Sequence, residues 1–227
     1  MIAIPTDGAP IAEVILAGKH VRLEPLRESH FDQLLAAAMH ESYPFTWVPQ
    51  TREALRTWLD AAFADLQKGV AVPFATFDLK DGALVGATRF GNIEYWDWRG
   101  TRTPPRPPKN PDAVEIGWTW LAPRAQLTAI NSEAKLLMLT HAFEIWKVSR
   151  VTLKTDARNF RSRNAIARIG GKLDGILRAH MPASDGGIRD TAFFSIVASE
   201  WPEVKAKLES GLARQACSQI RPEDKNK

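Results

Sequence analysis

Residues 113–145 constrain the fold more than any other stretch of this chain. AVEIGWTWLA (113–122) alternates in polarity, as a half-buried strand does. A glycine-free polar loop follows. It leads into a segment where Ala134, Leu137, Met138, His141, Ala142 and Ile145 fall at helical spacing, while Leu136, Leu139 and Phe143 add apolar surface on other sides. A helix apolar on most sides has to be buried. A strand feeding straight into such a helix calls for a layered arrangement of sheet and helices.

The other segments fill in that arrangement. HVRLEPL (20–26) reads as a strand, and Ser29 opens a helix carrying Phe31, Leu34, Leu35 and Ala38. Thr51 caps a second helix with the stripe Leu55, Trp58, Leu59, Ala62 and Leu66, and Gly69 ends it. VPFATFDL and ALVGATRFGNIEYW flank Lys80-Asp81-Gly82, a hairpin turn. The prolines of DWRGTRTPPRPPKNPD (97–112) forbid helix and make it a loop or insert. RVTLKTD is a strand, RNFRSRNAIARIGG a helix closed by Gly170-Gly171, and KLDGILRAHM and RDTAFFSIV are strands. SEWPEVKAKLESGL is a surface helix with Ser199 as its candidate cap, and the polar chain beyond Leu212 is expected to fray. The order β α α β β β α β α β β α predicts an α/β domain of mixed, α+β character on one mixed sheet.

Composition excludes several classes. The net charge is +4 and the pI about 9.3, but Lys and Arg are spread along the chain, so no dedicated nucleic-acid face is expected. Cys217 is the one cysteine, the five histidines show no metal spacing, and there is no Gly-x-Ser-x-Gly elbow. A zinc enzyme and a serine hydrolase are therefore excluded, and no metal is expected. The first residues make no signal peptide, and no apolar run is long enough to span a bilayer. A soluble, cytoplasmic protein without membrane contact is expected.

The loop PRAQLTAINS (123–132) presents free backbone N–H groups at a helix N-terminus, where the helix dipole favours an anion such as phosphate. Alanine at 129 adds one methyl over glycine, and Asn131 is the residue best suited to a positive φ. An ordinary strand-to-helix turn remains the alternative. Ser162, Ala165, Ile166 and Ile169 stand at i, i+3, i+4 and i+7, so Ser162 begins the buried stripe of its helix. Its hydroxyl needs a partner, and a bond back to its own helix is the plain one. Glu115, on an otherwise apolar strand, shares a face with Gly117 and Thr119. It is either a base for an amine or half of a salt bridge, for instance to Arg89. Glu94 is a reserve base.

VEIGWTWLAPRAQLTAINSEAKLLMLTHAFE followed by VTLKTDARNFRSRNAIARIGGKLDGILR resembles the central motifs of the GNAT N-acetyltransferases. It is closest to the Rim-type branch, which includes the ribosomal-protein N-terminal acetyltransferases. The family cradle, Gln/Arg-x-x-Gly-x-Gly/Ala, stands here as Gln126-x-x-Ala129-x-Asn131, with both glycine positions changed. The resemblance covers roughly 18–202. It implies a mostly antiparallel sheet of about seven strands, with parallel strands 4 and 5 splayed, flanked by four or five helices. It divides the chain into an extension (1–17), the domain (18–202) with its proline-rich insert (97–112), and a helix end with a polar tail (203–227).

The resemblance further implies acetyl-CoA as cosubstrate. Gln126, Leu127, Thr128, Ala129, Ile130, Asn131 and Ser132 would form the pyrophosphate cradle, and Trp120, Leu121 and Ala122 would pair with the pantetheine arm. Ser162 would protonate the departing thiolate, Asn159 would bond the cofactor or a water, and Glu115 would act as base. One or two of Arg158, Arg161, Arg163 and Arg168 would meet the 3′-phosphate. The implied reaction is direct attack by a primary amine, from a protein N-terminus or a small molecule. The alternative is a GNAT-fold acyl-CoA-binding or regulatory protein with weak or no catalysis, which the changed cradle favours. Tyr43, Phe45, Trp47, Trp96 and Trp98 are candidates for an aromatic acceptor wall. A homodimer is compatible with this reading. Pro104 to Lys109 fits a proline-recognition ligand, or more plainly a rigid insert.

Overall fold

The computed structural model describes residues 11–39, 43–99 and 110–219. Its strands are β1 (Leu16–Ala17), β2 (Val21–Pro25), β3 (Val72–Asp78), β4 (Leu84–Glu94), β5 (Ala113–Leu121), β6 (Arg150–Asp156), β7 (Lys172–Pro182) and β8 (Ile188–Val197). They form one sheet in the order β1-β2-β3-β4-β5-β6-β8-β7, and the pair β5–β6 is parallel. The sheet has eight strands rather than seven. The addition is the two-residue β1, which pairs Leu16 with Leu23 from within the expected N-terminal extension. The helices are α1 (Phe31–Ala38), α2 (Arg52–Gln67), α3 (Ala129–Thr140), α4 (Phe160–Arg168) and α5 (Trp201–Gln219). Parallel neighbours need a crossover, and α3 provides it between β5 and β6.

Local signals placed several ends. Thr51 Oγ1 accepts the Ala54 N–H at 3.1 Å, and Gly69 takes φ +67° just beyond α2. Gly82 at φ +72° makes the turn into β4. Ser29 and Ser199 lie instead inside short 3-10 turns ahead of α1 and α5. At the second turn Glu200 takes the capping role by accepting the Val197 N–H at 3.0 Å. Helix α5 continues to Gln219, past the expected fraying point at Leu212. Helix α3 passes into a π turn over His141–Ile145. That wider turn breaks the 3.6-residue register, and Ile145 ends up exposed instead of in the stripe.

Both sheet faces are packed, but unequally. On one face α3, α4 and α5 cover β2 to β6 and β8, with Phe74, Phe90, Ile116, Met138, Leu139 and Ile196 at the centre. On the other, α1 and α2 pack over β3, β4 and the end of β5, through Leu34, Leu55, Leu59, Phe77, Ala87 and Trp120. No residue of β6, β7 or β8 joins this second cluster. The second face of those three strands is left for a site.

Candidate active site

The parallel pair opens into a wedge. β5 and β6 are in register only at Ala113–Arg150, Val114–Val151 and Glu115–Thr152. Beyond Glu115, β5 stays paired with β4 up to Leu121–Gly86, and β6 stays paired with β8 up to Asp156–Thr191. Each wall of the wedge is therefore held from behind. A bulge on β5 accompanies the opening: β4 advances from Ala87 to Arg89 while β5 covers Gly117 to Trp120, and Trp118 sits at φ +50°. The Trp118 indole lies against Gly91, where a Cβ would come within 2.5 Å of it.

The head of α3 stands at the open end of the wedge. Thr128 is the N-cap, and its Oγ1 accepts the Ile130 N–H at 3.2 Å. The first-turn amides of Ala129 and Asn131 have no acceptor inside the helix. The left-handed residue of the loop is Leu127, at φ +61° and 85% exposed, rather than Asn131, which is helical. Two bonds hold the loop in that shape: Gln126 Nε2 to the Leu121 carbonyl at 2.7 Å, and Thr128 Oγ1 to the Ala125 carbonyl at 2.8 Å. Ala129 is 6% exposed, so its methyl is covered by protein and does not stand in front of the helix end. Asn131 Oδ1 is buried without a partner among the described residues. Free amides and an open channel behind them fit an anionic head with an extended arm.

The Ala122 N–H bonds to the Val85 carbonyl on β4. The Leu121 carbonyl, on the same peptide, therefore points away from β4 into the wedge. It accepts from Tyr43 Oη at 3.2 Å as well as from Gln126. An arm pairing with Trp120 to Ala122 must share this carbonyl or displace Tyr43.

Glu115 is buried at the closed end of the wedge, and its partners are not the expected one. Its Oε2 accepts from Asn92 Nδ2 at 2.6 Å and pairs with Lys154 Nζ on β6 at 2.9 Å. Arg89 instead reaches Asp65 on α2 at 3.3 Å and stacks 3.6 Å from the Trp118 ring centre. Glu94 accepts from Trp96 Nε1, opposite Ala113 and away from the opening.

Helix α4 faces the wedge from the end of β6. Asn159 is its N-cap and accepts the Ser162 N–H at 3.0 Å, which leaves the Asn159 amide nitrogen available. Ser162 is half-buried above Ile166 and Ile169. Arg161 donates to Gln126 Oε1 at 2.9 Å and so reaches the cradle. Arg158 is committed to Asp156 and Asp185, and Arg163 bonds the Ala157 carbonyl. The aromatic candidates do not form one wall. Tyr43 and Phe45 stand by the open end, where Ser184 of the β7–β8 turn bonds the Pro44 carbonyl. Trp96 and Trp98 pack on each other and hold Asp112 at the closed end. The motif from Pro104 to Lys109 lies outside the described residues.

Two charged residues of α3 were missed by sequence reasoning. Glu133 accepts the backbone N–H groups of Lys19, His20 and Val21 at 2.9, 2.6 and 2.9 Å. Lys135 is 5% exposed and bonds Thr88 and Thr119, with burial pushing its ammonium down to about 7. Both stand in a helix expected to be buried on most sides, and that was the available signal. Among the described residues no group of side chains suits a metal, and no helix is long and apolar enough to cross a membrane.

Comparison with known proteins agrees with this geometry. A GCN5-related N-acetyltransferase from Brucella melitensis is 30% identical, covering 88% of this chain and 86% of its own, with a TM-score of 0.74. Mycobacterium smegmatis RimJ in complex with CoA-disulfide shares the fold at 22% identity, 87% and 91% coverage and a TM-score of 0.66. The L7/L12 acetyltransferase RimL in complex with coenzyme A does so at 20%, with 81% and 98% coverage and a TM-score of 0.64. No curated protein matches. A sequence model described as Acetyltransferase (GNAT) domain matches residues 20–172, more than half of the 227, and the chain belongs to that family of acetyltransferases.

Proposed function

We propose that the protein moves an acetyl group from acetyl-CoA to a primary amine by direct attack. One observation carries the reading: a free helix N-terminus stands at the mouth of a wedge that closes on a buried carboxylate. The amides of Ala129 and Asn131, with Arg161 beside them, hold the pyrophosphate. The wedge side of Trp120 to Ala122 pairs with the arm. Acetyl-CoA supplies the activated acyl carbon. Because the wedge closes at Glu115–Thr152, the acyl end stops beside Gly117 to Thr119.

The acceptor enters over the open face of β6, β8 and β7. Its nitrogen forms the new N–C bond as the C–S bond breaks. Glu115 receives the proton the ammonium must lose, through water, and Ser162 Oγ–H protonates the leaving sulfur. Lys154 and Asn92 hold Glu115 in place for this. Protein N-termini and small-molecule amines are both admitted as acceptors, and the open face favours an extended chain.

Calorimetry with acetyl-CoA, paired with release of CoA in the presence of a peptide bearing a free N-terminus or a small primary amine, tests the reading. Wild type should bind in the micromolar range, roughly −8 kcal/mol. Ser162→Ala should bind equally and lose turnover by on the order of 100-fold. Absence of binding by wild type refutes the proposal. Binding without turnover by wild type leaves a binding protein on this fold.

A further inference from the structure

Lys135 is a lysine in the wrong place for its chemistry. It is 5% exposed, and no carboxylate lies within ion-pair distance among the described residues. Its Nζ donates to Thr119 Oγ1 at 2.7 Å and to Thr88 Oγ1 at 3.2 Å, and the two hydroxyls are 2.7 Å apart. Each hydroxyl also lies 3.4 Å from the Gly117 carbonyl. Across the β5 bulge Thr88 of β4 stands alone opposite two residues, Trp118 and Thr119. The lysine thus bridges both sides of the bulge from behind, out of helix α3.

The neighbouring charges do not explain it. Arg89 and Glu115 alternate with core-facing Thr88 and Ile116, so they lie on the opposite face of the sheet. Glu133, on the same helix, is turned to the backbone of Lys19 to Val21. Burying an amine without an acid is costly, as its lowered proton affinity reflects. An apolar residue would fill the space without that cost. Lys135 stands about one helical turn past Asn131 on α3, roughly 6 Å of rise. One side chain therefore sets the spacing between the cradle and the bulge.

We propose that Lys135 is a positioning residue that ties α3 to the β5 bulge through Thr119 and Thr88, fixing where the acyl end of the cofactor stops in the wedge. The inference rests on the acetyltransferase reading above. It assigns Lys135 no contact with the reacting atoms. Losing the bridge should leave the cradle and its affinity for CoA intact while misplacing the acyl carbon.

The test uses acetyl-CoA alone, so it needs no acceptor. Calorimetry with CoA and with acetyl-CoA is paired with slow hydrolysis of the thioester, read as free thiol. Lys135→Met should bind CoA within about twofold of wild type and lower kcat for hydrolysis roughly tenfold with KM little changed. Thr119→Val should reproduce that loss, Thr119→Ser should restore wild-type behaviour, and Lys135→Met with Thr119→Val should be no worse than either alone. Thr88 and Thr119 can satisfy each other in Lys135→Met, so folding is expected, and the Thr119 pair decides the matter if it fails. Unchanged kcat in both Lys135→Met and Thr119→Val overturns the proposal. A parallel fall in CoA affinity overturns it too, because the role is then structural. Wild type that binds neither ligand takes down the acetyltransferase reading along with this one.

Discussion

Lys135 makes a prediction about stability that needs no ligand. Its ordinary value is 10.5, and burial without a carboxylate lowers it to about 7 in the folded chain. Between those values the unfolded chain holds a proton that the folded chain has released. Stability then rises with pH, the reverse of a lysine that gains an acidic partner on folding. Below about 7 both states are protonated, and the whole penalty of burying an ammonium is present. The full displacement, at about 1.4 kcal/mol per pH unit, is on the order of 5 kcal/mol. About 2 kcal/mol of it falls between pH 7 and pH 9, where titration is practical.

The assay is urea unfolding of wild type and Lys135→Met at pH 6, 7, 8 and 9. Other titrating groups are common to both proteins and cancel in the difference. Wild type should gain about 2 kcal/mol on the variant between pH 7 and pH 9, and almost nothing between pH 6 and pH 7. A difference that stays flat with pH refutes the reasoning, because it means the ammonium keeps its charge through solvent or a partner. If the slope appears while the variant loses turnover, the chain retains a destabilising group for the sake of its site.

Two further outcomes follow from hydrogen bonds at Glu133 and Tyr43. Glu133→Gln leaves a single oxygen and introduces an N–H₂ facing the amides of Lys19, His20 and Val21. It should cost about 2–3 kcal/mol in urea unfolding, with faster hydrogen exchange at those three amides. Tyr43→Phe removes one of two donors from the Leu121 carbonyl. CoA should then bind up to about fivefold tighter by calorimetry, and weaker binding would mean that Tyr43 supports the wedge instead of competing for it.

What the sequence made legible was periodic, and what it hid depended on pairing. Alternation located β5, Asp81-Gly82 the β3–β4 hairpin, and Thr51 with Gly69 the ends of α2, because each follows from a few neighbouring residues. The partner of Glu115 could not be read that way. Lys154 reaches it because the parallel register sets Glu115 beside Thr152, whereas Arg89, the nearer guess, is drawn to Asp65 on α2. Local preference puts the left-handed residue at Asn131. Bonds from Gln126 and Thr128 to Leu121 and Ala125 force it onto Leu127. Lys135 was hidden for a different reason. A lone lysine in a helix reads as a surface residue, although it stands between Ala134 and Met138 of the apolar stripe. These failures share a location. Asn92, Trp118 and Leu127, three of the five non-glycine residues at positive φ among those described, border the wedge, and the buried lysine backs it. Local rules break where something outside the local chain is being served. The concentration of broken rules around β5, rather than any single motif, is the physical argument for placing the chemistry there.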